Sequence, residues 1–372
     1  MQVTVVGAGI GGLAVAVGLR RRGHEVTVLE RSPDLSALGA GISLFRNGLT
    51  ALRVLGLEDE VRAIAAPVGT GISTGQRQPS GRWLVRVPAG TVDDLAVVHR
   101  RDLQRVLLDA LPAGVVRTGV EVTGVEHARG TVVDAAGART SADLVVGADG
   151  LRSAVRGTFA RGAGPRYAGY SAWRGVTDVP VDLLGGAGET WGRGERFGYV
   201  PLRDGRVYWF AVATLPAGTL FADEHAEVVR RFGRWHPPIP ALVAATGTVL
   251  RHDIHDLDRR LPSFVQGRVA LLGDAAHAMT PDVGQGGGQA LEDAATLAVL
   301  ADRADLRSAL QEYDRLRRPR TQSMASRARS VGRVAQLHWA PAAATRDVLL
   351  RLLPDSASAR AASAMLRWEP PR

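Results

Sequence analysis

The first part of the chain alternates short apolar runs with apolar positions at helical spacing. Val3–Val6 and Val26–Leu29 are apolar runs, and about a dozen residues between them predict a helix. A strand, a helix and a second strand in this order form the βαβ unit of a parallel sheet. The same criteria predict two further strands, Asp143–Gly147 and Arg268–Leu272, and two further helices, Leu103–Leu111 and Leu291–Leu300.

Between residues 167 and 262 the apolar pattern changes to a period of two. Aromatic residues concentrate there, in the runs Phe197–Leu202 and Val207–Val212. Asp204-Gly205 lies between these runs and predicts a tight hairpin turn. This part of the chain therefore predicts a mostly antiparallel sheet, followed by a short helix near Asp223–Trp235.

Length and pattern together predict two domains and a C-terminal segment. The chain has 372 residues, 45% of them hydrophobic, which is enough for two packed cores. A smaller hairpin at Val68–Val87 belongs with the antiparallel part. The predicted fold is α/β, with a Rossmann-like nucleotide-binding domain (1–67, 92–165 and 263–330), a mostly antiparallel β-sheet domain (68–91 and 166–262) and a C-terminal helical segment (331–372).

The composition argues against several kinds of site. The absence of cysteine excludes disulfides and thiolate ligands. No metal site is predicted, since His252 and His255 lie three apart on an apparent strand and face opposite sides. The net charge is +9 and all 46 basic residues are arginine, but they are dispersed, so we expect no nucleic-acid binding. With no secretion signal and no apolar run of about 18 residues, we expect a cytoplasmic protein without a membrane span.

The strongest local motif is G-x-G-x-x-G, formed by Gly7, Gly9 and Gly12. It follows a strand and opens a helix, where it allows a tight turn and a close approach of the backbone to a pyrophosphate. Glu30 ends the second strand and can accept hydrogen bonds from ribose hydroxyls. These residues predict a dinucleotide site but do not distinguish FAD from NAD.

Three further segments carry a resemblance to a known family. They are Val146–Gly150 with Ser153 and Arg156, Gly273–His277, and His99–Leu103. Together with the glycine motif they resemble the group A flavoprotein monooxygenases, which have the p-hydroxybenzoate hydroxylase fold. The resemblance covers most of the chain, from Val3 to about Arg320, and identifies the nucleotide as FAD.

The resemblance implies a role for each matching residue. It places the FAD pyrophosphate on Gly7, Gly9, Gly11 and Gly12, and the adenosine near Glu30 and Arg31 with a backbone contact from Val122. It places Ser43 near the flavin, Arg100 at the FAD linker and Asp274 at the ribityl or pyrophosphate region. Asp149 and Gly150 belong to the family's motif for FAD and the nicotinamide cofactor.

A breaker-rich loop predicts a second contact with the flavin. The loop comprises Pro281, Asp282, Val283, Gly284, Gln285, Gly286, Gly287 and Gly288. We expect a helix to start near Gln289, with unshielded backbone N–H groups that stabilise the negative charge of reduced flavin. Family members often carry Asn at the position of Gly288, so only a backbone contact is expected there. His277 is expected to position the loop rather than to transfer protons.

The aromatic hairpin is expected to form the substrate wall. Its run from Arg196 to Phe210 is similar to a subgroup of the family that includes FAD-dependent urate hydroxylases. The resemblance implies substrate contacts by Arg196 and Tyr208 and proton acceptance by Asp282. A two-residue turn, however, would pair Tyr208 with Pro201 and place Arg196 and Tyr208 on opposite faces, unless a bulge at Gly198 shifts the register.

The resulting hypothesis is a monooxygenase acting on a small aromatic or heteroaromatic substrate. NADH or NADPH reduces FAD, O₂ forms a flavin C4a-hydroperoxide, and the substrate ring is hydroxylated. A halogenase or a reductase of the same fold remains an alternative, although the Trp-x-Trp-x-Ile-Pro run of halogenases is absent. A non-catalytic basic binding protein is the other alternative, and a homodimer is possible.

Overall fold

The computed structural model describes residues 1–35, 41–66, 73–87, 94–303, 305–352 and 365–371. The strands in this part of the chain are β1 Gln2–Val6, β2 Glu25–Leu29, β3 Gly41–Leu44, β4 Thr74–Arg77, β5 Trp83–Val87, β6 Ala96–His99, β7 Val116–Arg117, β8 Val122–Glu126, β9 Thr131–Asp134, β10 Arg139–Ser141, β11 Leu144–Gly147, β12 Pro165–Val176, β13 Gly188–Trp191, β14 Glu195–Pro201, β15 Val207–Thr214, β16 Leu250–Leu257, β17 Val265–Gln266 and β18 Val269–Leu271. The helices are α1 Ile10–Arg21, α2 Arg46–Leu55, α3 Glu58–Ile64, α4 Arg100–Asp109, α5 Ala154–Phe159, α6 Glu224–Phe232, α7 Ile239–Ala244, α8 Asp274–His277, α9 Gly286–Leu300, α10 Leu306–Ala335 and α11 Ala340–Leu352, with a 3₁₀ turn at Pro281–Val283.

A six-stranded sheet forms the nucleotide-binding part, in the order β17-β18-β11-β1-β2-β7. The strands from β18 to β7 run parallel, and only β17 is antiparallel to its neighbour. Helices cover the sheet, which explains why β1 and β11 read as nearly continuous apolar runs. The predicted α/β fold class with a Rossmann-like sheet is confirmed.

Small residues bring helices α1 and α9 close together. A Cβ atom on Gly18 would lie 2.8 Å from the Cβ of Ala298, and one on Gly11 would lie 3.3 Å from the Cβ of Ala290. The first turn of α9 is therefore held against the helix that opens with the glycine motif. This packing brings two of the predicted cofactor segments together.

A seven-stranded sheet forms the second part, in the order β16-β12-β15-β14-β13-β4-β5. Its pairs are antiparallel except for β13 with β4. One face carries Trp173, Phe197 and Trp209, which pack against α6 and α7 around Phe232. The opposite face turns towards the nucleotide-binding part, and Tyr208 on it contacts Gly41 of β3.

The C-terminal helices contact both parts. Tyr313 of α10 donates a hydrogen bond to the carbonyl oxygen of Leu271 in β18. Arg346 of α11 binds the carbonyl oxygens of Ala335 and Gly192, which joins α10 to the turn after β13. A helical C-terminal segment was predicted, and residues 353–364 of it lie outside the described part. None of the helices described here is long and apolar enough to cross a membrane.

Candidate active site

Three predicted cofactor segments lie at the carboxyl ends of neighbouring strands. Gly7 follows β1, Asp149 follows β11 and Asp274 follows β18, and these strands are adjacent in the sheet. A Cβ atom on Gly11 would lie 2.7 Å from Leu272, two residues before Asp274. The glycine turn and the Asp274 segment are therefore close enough to contact one dinucleotide. In an open parallel sheet, ligands bind at this edge.

The glycine motif has the geometry that a bound pyrophosphate needs. A Cβ atom on Gly12 would lie 2.0 Å from the carbonyl oxygen of Gly7, so helix α1 and strand β1 can pack only around glycine. At Gly9, by contrast, a Cβ atom would meet no protein atom within 4 Å. Gly9 also begins α1 without a side-chain cap. Its backbone N–H groups thus face open space at the positive end of the helix dipole.

The predicted adenosine contacts surround this turn. The carboxylate of Glu30 accepts hydrogen bonds from the backbone N–H groups of Ala8 (2.8 Å) and Ser32 (2.9 Å), which fixes its orientation. Arg31 is exposed beside it, and Val122 is buried at the start of β8. Arg100 begins helix α4 and is exposed. The roles assigned to these residues remain predictions.

The two acidic residues at the strand ends differ in their partners. Asp149 accepts hydrogen bonds from the hydroxyl of Ser153 (2.5 Å) and the backbone N–H of Val155 (3.1 Å), so it shapes the turn into α5. Gly150 beside it has a φ of +78°, which favours glycine. Asp274 is exposed, and no hydrogen bond or ion pair joins its carboxylate to any residue that the structure describes. It is therefore available to a ligand.

The breaker-rich loop begins its helix earlier than predicted. Helix α9 starts at Gly286, not near Gln289, so Gly286, Gly287 and Gly288 form its first turn. Gly284 adopts a left-handed conformation that ends the preceding 3₁₀ turn. The chain changes direction there, which allows the helix to start early. A Cβ atom on Gly286 would meet no protein atom within 4 Å, and one on Gly287 would lie 2.5 Å from Ile42 of β3.

These features fit an FAD cofactor. The uncapped start of α1, the glycine turn of α9 and the unpartnered Asp274 carboxylate provide donors and an acceptor for a dinucleotide. Two buried polar atoms, Thr280 Oγ1 just before the loop and Gln285 Nε2 within it, also lack a hydrogen-bond partner in the described protein. Ser43 lies on β3, which contacts the first turn of α9.

His277 is buried next to the turn that it is expected to position. Its Nε2 lies 2.5 Å from Asp293 Oδ2, and both side chains are buried. Asp293 also binds Arg317 and the backbone N–H of Gly273. Although burial opposes ionisation, His277 and Arg317 hold the pKa of Asp293 below its ordinary value. This network holds the turn after β18 in place.

The hairpin register differs from the expectation. Pro201 pairs with Val207, so Tyr208 pairs with Val200 and not with Pro201. The reason is a three-residue turn, residues 203–205, in which Gly205 has a φ of +80°. The shift of one residue places Arg196 and Tyr208 on the same face of the sheet, and no bulge at Gly198 is needed.

Arg196 and Asp282 form a buried ion pair. Arg196 Nη2 lies 2.6 Å from Asp282 Oδ1, and Tyr170 donates its hydroxyl to Asp282 Oδ2 at 2.5 Å. Arg196 Nε also donates to Gln336 at the end of α10. A Cβ atom on Gly332 of α10 would lie 2.5 Å from Asp282 Oδ2, so this helix can close over the carboxylate only with glycine there.

Tyr208 lies at the other contact between sheet and nucleotide-binding part. Its ring covers Gly41 of β3. Burial raises the pKa of Tyr208, while Arg174 and Arg100 oppose the increase. The structure thus brings Arg196 and Asp282 into contact, with Tyr208 elsewhere on the same face.

Sequence reasoning missed four residues of this site. Tyr170, Glu189, Gly332 and Gln336 contact Arg196 or Asp282, and all except Glu189 lie far from their partner in the chain. Only the alternation of polar and apolar residues in the predicted strands could have indicated Tyr170 and Glu189. No group of three or more His, Cys, Asp or Glu residues suited to a metal occurs within the described ranges.

Comparisons with known proteins agree with this geometry. A family model described as an FAD binding domain matches residues 1–328. The aurachin C monooxygenase/isomerase of Stigmatella aurantiaca is 40% identical over 364 residues, which cover 95% of this chain and 94% of that protein. An FAD-dependent urate hydroxylase of Klebsiella pneumoniae is 37% identical over 346 residues, covering 88% and 89%.

Structural similarity extends over nearly the whole chain. The crystal structure of Klebsiella pneumoniae HpxO complexed with FAD and uric acid has a TM-score of 0.89 and 31% identity, and the match covers 98% of this chain and 96% of that one. The chain belongs to the FAD-dependent aromatic monooxygenases of the p-hydroxybenzoate hydroxylase fold.

Proposed function

We propose that the protein is an NAD(P)H-dependent monooxygenase that hydroxylates a small aromatic or heteroaromatic ring. The observation that carries this proposal is the position of the seven-stranded sheet opposite strand β3 and the glycine turn of α9. Arg196 and Tyr208 lie on the same face of the sheet. Arg196 binds Asp282, beside the glycine turn of α9, and Tyr208 contacts Gly41 of β3. The space between these two contacts adjoins the expected position of the isoalloxazine ring.

The overall reaction balances with one nicotinamide and one O₂. Substrate, NAD(P)H, a proton and O₂ give hydroxylated substrate, NAD(P)⁺ and water. When bound, FAD supplies the redox chemistry, by accepting a hydride and transferring one oxygen atom from O₂. The chain must bind the ring, exclude water and place charges around the reacting atoms.

The first turn of α9 has a defined electrostatic part in this reaction. Its glycines present backbone N–H groups without side chains at the positive end of a helix dipole. Such an end stabilises a nearby negative charge by about 0.3–2 kcal/mol. We expect it to favour the anionic form of the reduced cofactor.

Arg196, Asp282 and Tyr208 are proposed to form the walls of the substrate cavity. Arg196 and Asp282 act as one unit, because each neutralises the other in a buried position. That unit holds the loop before α9 at a fixed distance from the sheet. Tyr208 can donate its hydroxyl to a substrate, and burial raises its pKa further above neutral.

The test is a substrate screen on the purified, FAD-loaded protein. Aromatic and heteroaromatic acids, phenols and N-heterocycles are added to NADH or NADPH in air, and nicotinamide oxidation and product mass are measured together. We expect at least one compound to accelerate oxidation and to gain the mass of one oxygen atom. Stimulated oxidation that yields only hydrogen peroxide, with no hydroxylated product across the panel, would overturn the proposal.

A further inference from the structure

The strand register aligns four residues across the centre of the seven-stranded sheet. Glu189 of β13 pairs with Gly198 of β14, Gly198 with Phe210 of β15, and Phe210 with Arg174 of β12. Directly paired residues on neighbouring strands point to the same face. We call Glu189, Gly198, Phe210 and Arg174 the middle row. It shares its face with Arg196 and Tyr208, which lie two residues from Gly198 and Phe210.

The middle row lies between the two places where this face contacts the nucleotide-binding part, namely the loop before α9 and strand β3. On one side Arg196 binds Asp282, and on the other Tyr208 covers Gly41; both side chains are buried there. The middle row keeps accessible surface. Glu189 retains 24% of its side-chain surface, and Phe210 and Arg174 are half-buried. Between the two contacts, the side chains of Glu189, Phe210 and Arg174 are therefore only partly covered by the rest of the protein.

Phe210 provides an apolar surface at the centre of the row. A Cβ atom on Gly198 would lie 2.2 Å from the Phe210 ring, so the ring rests on the glycine backbone. Any larger residue at position 198 would push the ring away from this place. The exposed part of the ring can contact a planar aromatic ligand.

Glu189 provides a carboxylate at one end of the row. Both of its polar contacts use Oε2: Trp191 donates its indole N–H at 2.7 Å, and Arg196 Nη1 lies 3.7 Å away. Oε1 has no hydrogen-bond partner among the residues that the structure describes. Burial raises the pKa of Glu189 and Asp282 adds to this, although Arg196 and Trp191 oppose it. A group with a free oxygen in this position can accept a hydrogen bond from a ligand.

Arg174 provides a cation at the other end. It is half-buried, and within the described residues no carboxylate lies at ion-pair distance from it. In contrast, Arg196 already binds Asp282 and Gln336. Burial lowers the pKa of neighbouring His252, and Arg174 and Arg251 lower it further, so His252 does not supply a second cation at neutral pH.

We propose that Glu189 and Arg174 are the two polar ends of the substrate site, and that the substrate is a planar ring system with an N–H or O–H donor at one end and a carbonyl or anionic oxygen at the other. The inference rests on the proposed function, because it assigns the substrate class of the same cavity. The Cα atoms of Glu189 and Arg174 are about 14 Å apart, three strand spacings of about 4.8 Å, which leaves room for a ring between their side chains.

Binding of three matched compounds tests this inference. 4-Quinolone has a ring N–H and a carbonyl oxygen at opposite ends; N-methyl-4-quinolone lacks the N–H, and quinoline lacks both the N–H and the carbonyl oxygen. Calorimetric titration of the FAD-loaded protein should give the tightest binding for 4-quinolone, by about tenfold or more over its N-methyl form, which in turn should bind more tightly than quinoline. Equal affinity for the three, or binding of none, would overturn the inference.

Variants then assign each end. Glu189→Ala should abolish the preference for 4-quinolone over its N-methyl form, and Glu189→Gln, which retains an acceptor, should keep part of it. Arg174→Met should abolish the preference for N-methyl-4-quinolone over quinoline. Glu195→Gln on the opposite face and the exposed Arg206→Gln are matched controls that should keep both preferences. If the Glu189→Ala or the Arg174→Met variant kept the preferences of the wild type, the assignment of that residue to the substrate site would be wrong.

Product analysis separates this inference from the proposed function. If the wild-type protein shows the binding preferences but forms no hydroxylated product from any compound, the polar ends stand and the proposed reaction falls. If products form but the binding preferences are absent, the proposed reaction is supported and the assignment of Glu189 and Arg174 is wrong. FAD affinity, measured in parallel, should be equal in wild type and variants.

Discussion

The guanidinium of Arg196 lies 2.6 Å from the carboxylate of Asp282, across the boundary between the sheet and the loop before α9. Both side chains are almost completely buried. The pair links the seven-stranded sheet directly to the loop before the glycine turn of α9. Several measurable properties depend on it.

Loss of one member of this pair should cost stability as well as activity. Arg196→Met leaves the Asp282 carboxylate buried without its cation, which costs about 3–5 kcal/mol in comparable sites. We expect a decrease of this size in the free energy of unfolding, measured with denaturant, together with loss of hydroxylation. Arg206→Met, in the exposed hairpin turn, is the control and should change little.

The double variant Arg196→Met/Asp282→Leu separates stability from function. Replacing both charges removes the unpaired group, so stability should recover relative to either single variant. Hydroxylation should not recover, since neither polar group is restored. Equal stability losses that simply add in the double variant would show that the two residues do not act as a unit.

The open space at Gly9 gives a prediction about cofactor binding. Gly9→Ala introduces a Cβ atom that meets no protein atom within 4 Å, so the FAD-free protein should keep its melting temperature. The added methyl group enters the proposed pyrophosphate position and should weaken FAD binding by about tenfold or more, measured by fluorescence titration.

Gly157→Ala is the matched control for that variant. It also meets no protein atom within 4 Å, but it lies within helix α5, away from the glycine turn. It should leave FAD affinity unchanged and stabilise the helix by about 0.5–1 kcal/mol. If both alanine variants bound FAD like the wild type, the assignment of the pyrophosphate to Gly9 would be wrong.

His277 should influence stability and not proton transfer. His277→Asn removes a hydrogen bond from buried Asp293 and should lower the free energy of unfolding by about 1–3 kcal/mol. The pH profile of kcat at saturating substrate should keep its shape. A profile that lost one limb, at unchanged stability, would instead indicate a catalytic histidine.

The raised pKa of Glu189 predicts a pH-dependent stability effect. Because burial raises this pKa in the folded protein, the contribution of the protonated group is fully present below the ordinary pKa of glutamate and is lost as pH rises through the raised value. The Glu189→Gln variant has no carboxyl group at this position to titrate, so it does not lose this contribution to stability as pH rises. The melting temperature of the variant relative to wild type should therefore be higher at about pH 8 than at about pH 4. An unchanged difference would place Glu189 in an ordinary solvated environment.

The common location of the candidate cofactor segments could be predicted because their residues are close in sequence to the strand ends that position them. The glycine motif, Asp149 and Asp274 each follow an apolar run directly, and parallel neighbours place such positions at one edge. The start of α9 was predicted three residues too late. Glycine is a poor helix former, and only packing against β3 and α1 explains a helical turn of three glycines.

The surroundings of Arg196 and Tyr208 could not be predicted in the same way. Asp204-Gly205 favours a two-residue turn, but the chain uses a three-residue turn with Gly205 in the left-handed region, and one residue of register reverses the faces. Tyr170 and Gln336 reach Asp282 and Arg196 from 112 and 140 residues away. Such contacts depend on how the loop before α9 and helix α10 pack on the sheet, which local patterns do not encode.

The most direct test of the proposed chemistry is the origin of the oxygen atom in the product. FAD-loaded protein is incubated with NADH or NADPH and its best substrate from the screen, under O₂ labelled with heavy oxygen and in ordinary water, and the product is analysed by mass spectrometry. We expect one labelled oxygen atom in each product molecule. A product whose new oxygen comes from water would show that this chain is not a monooxygenase.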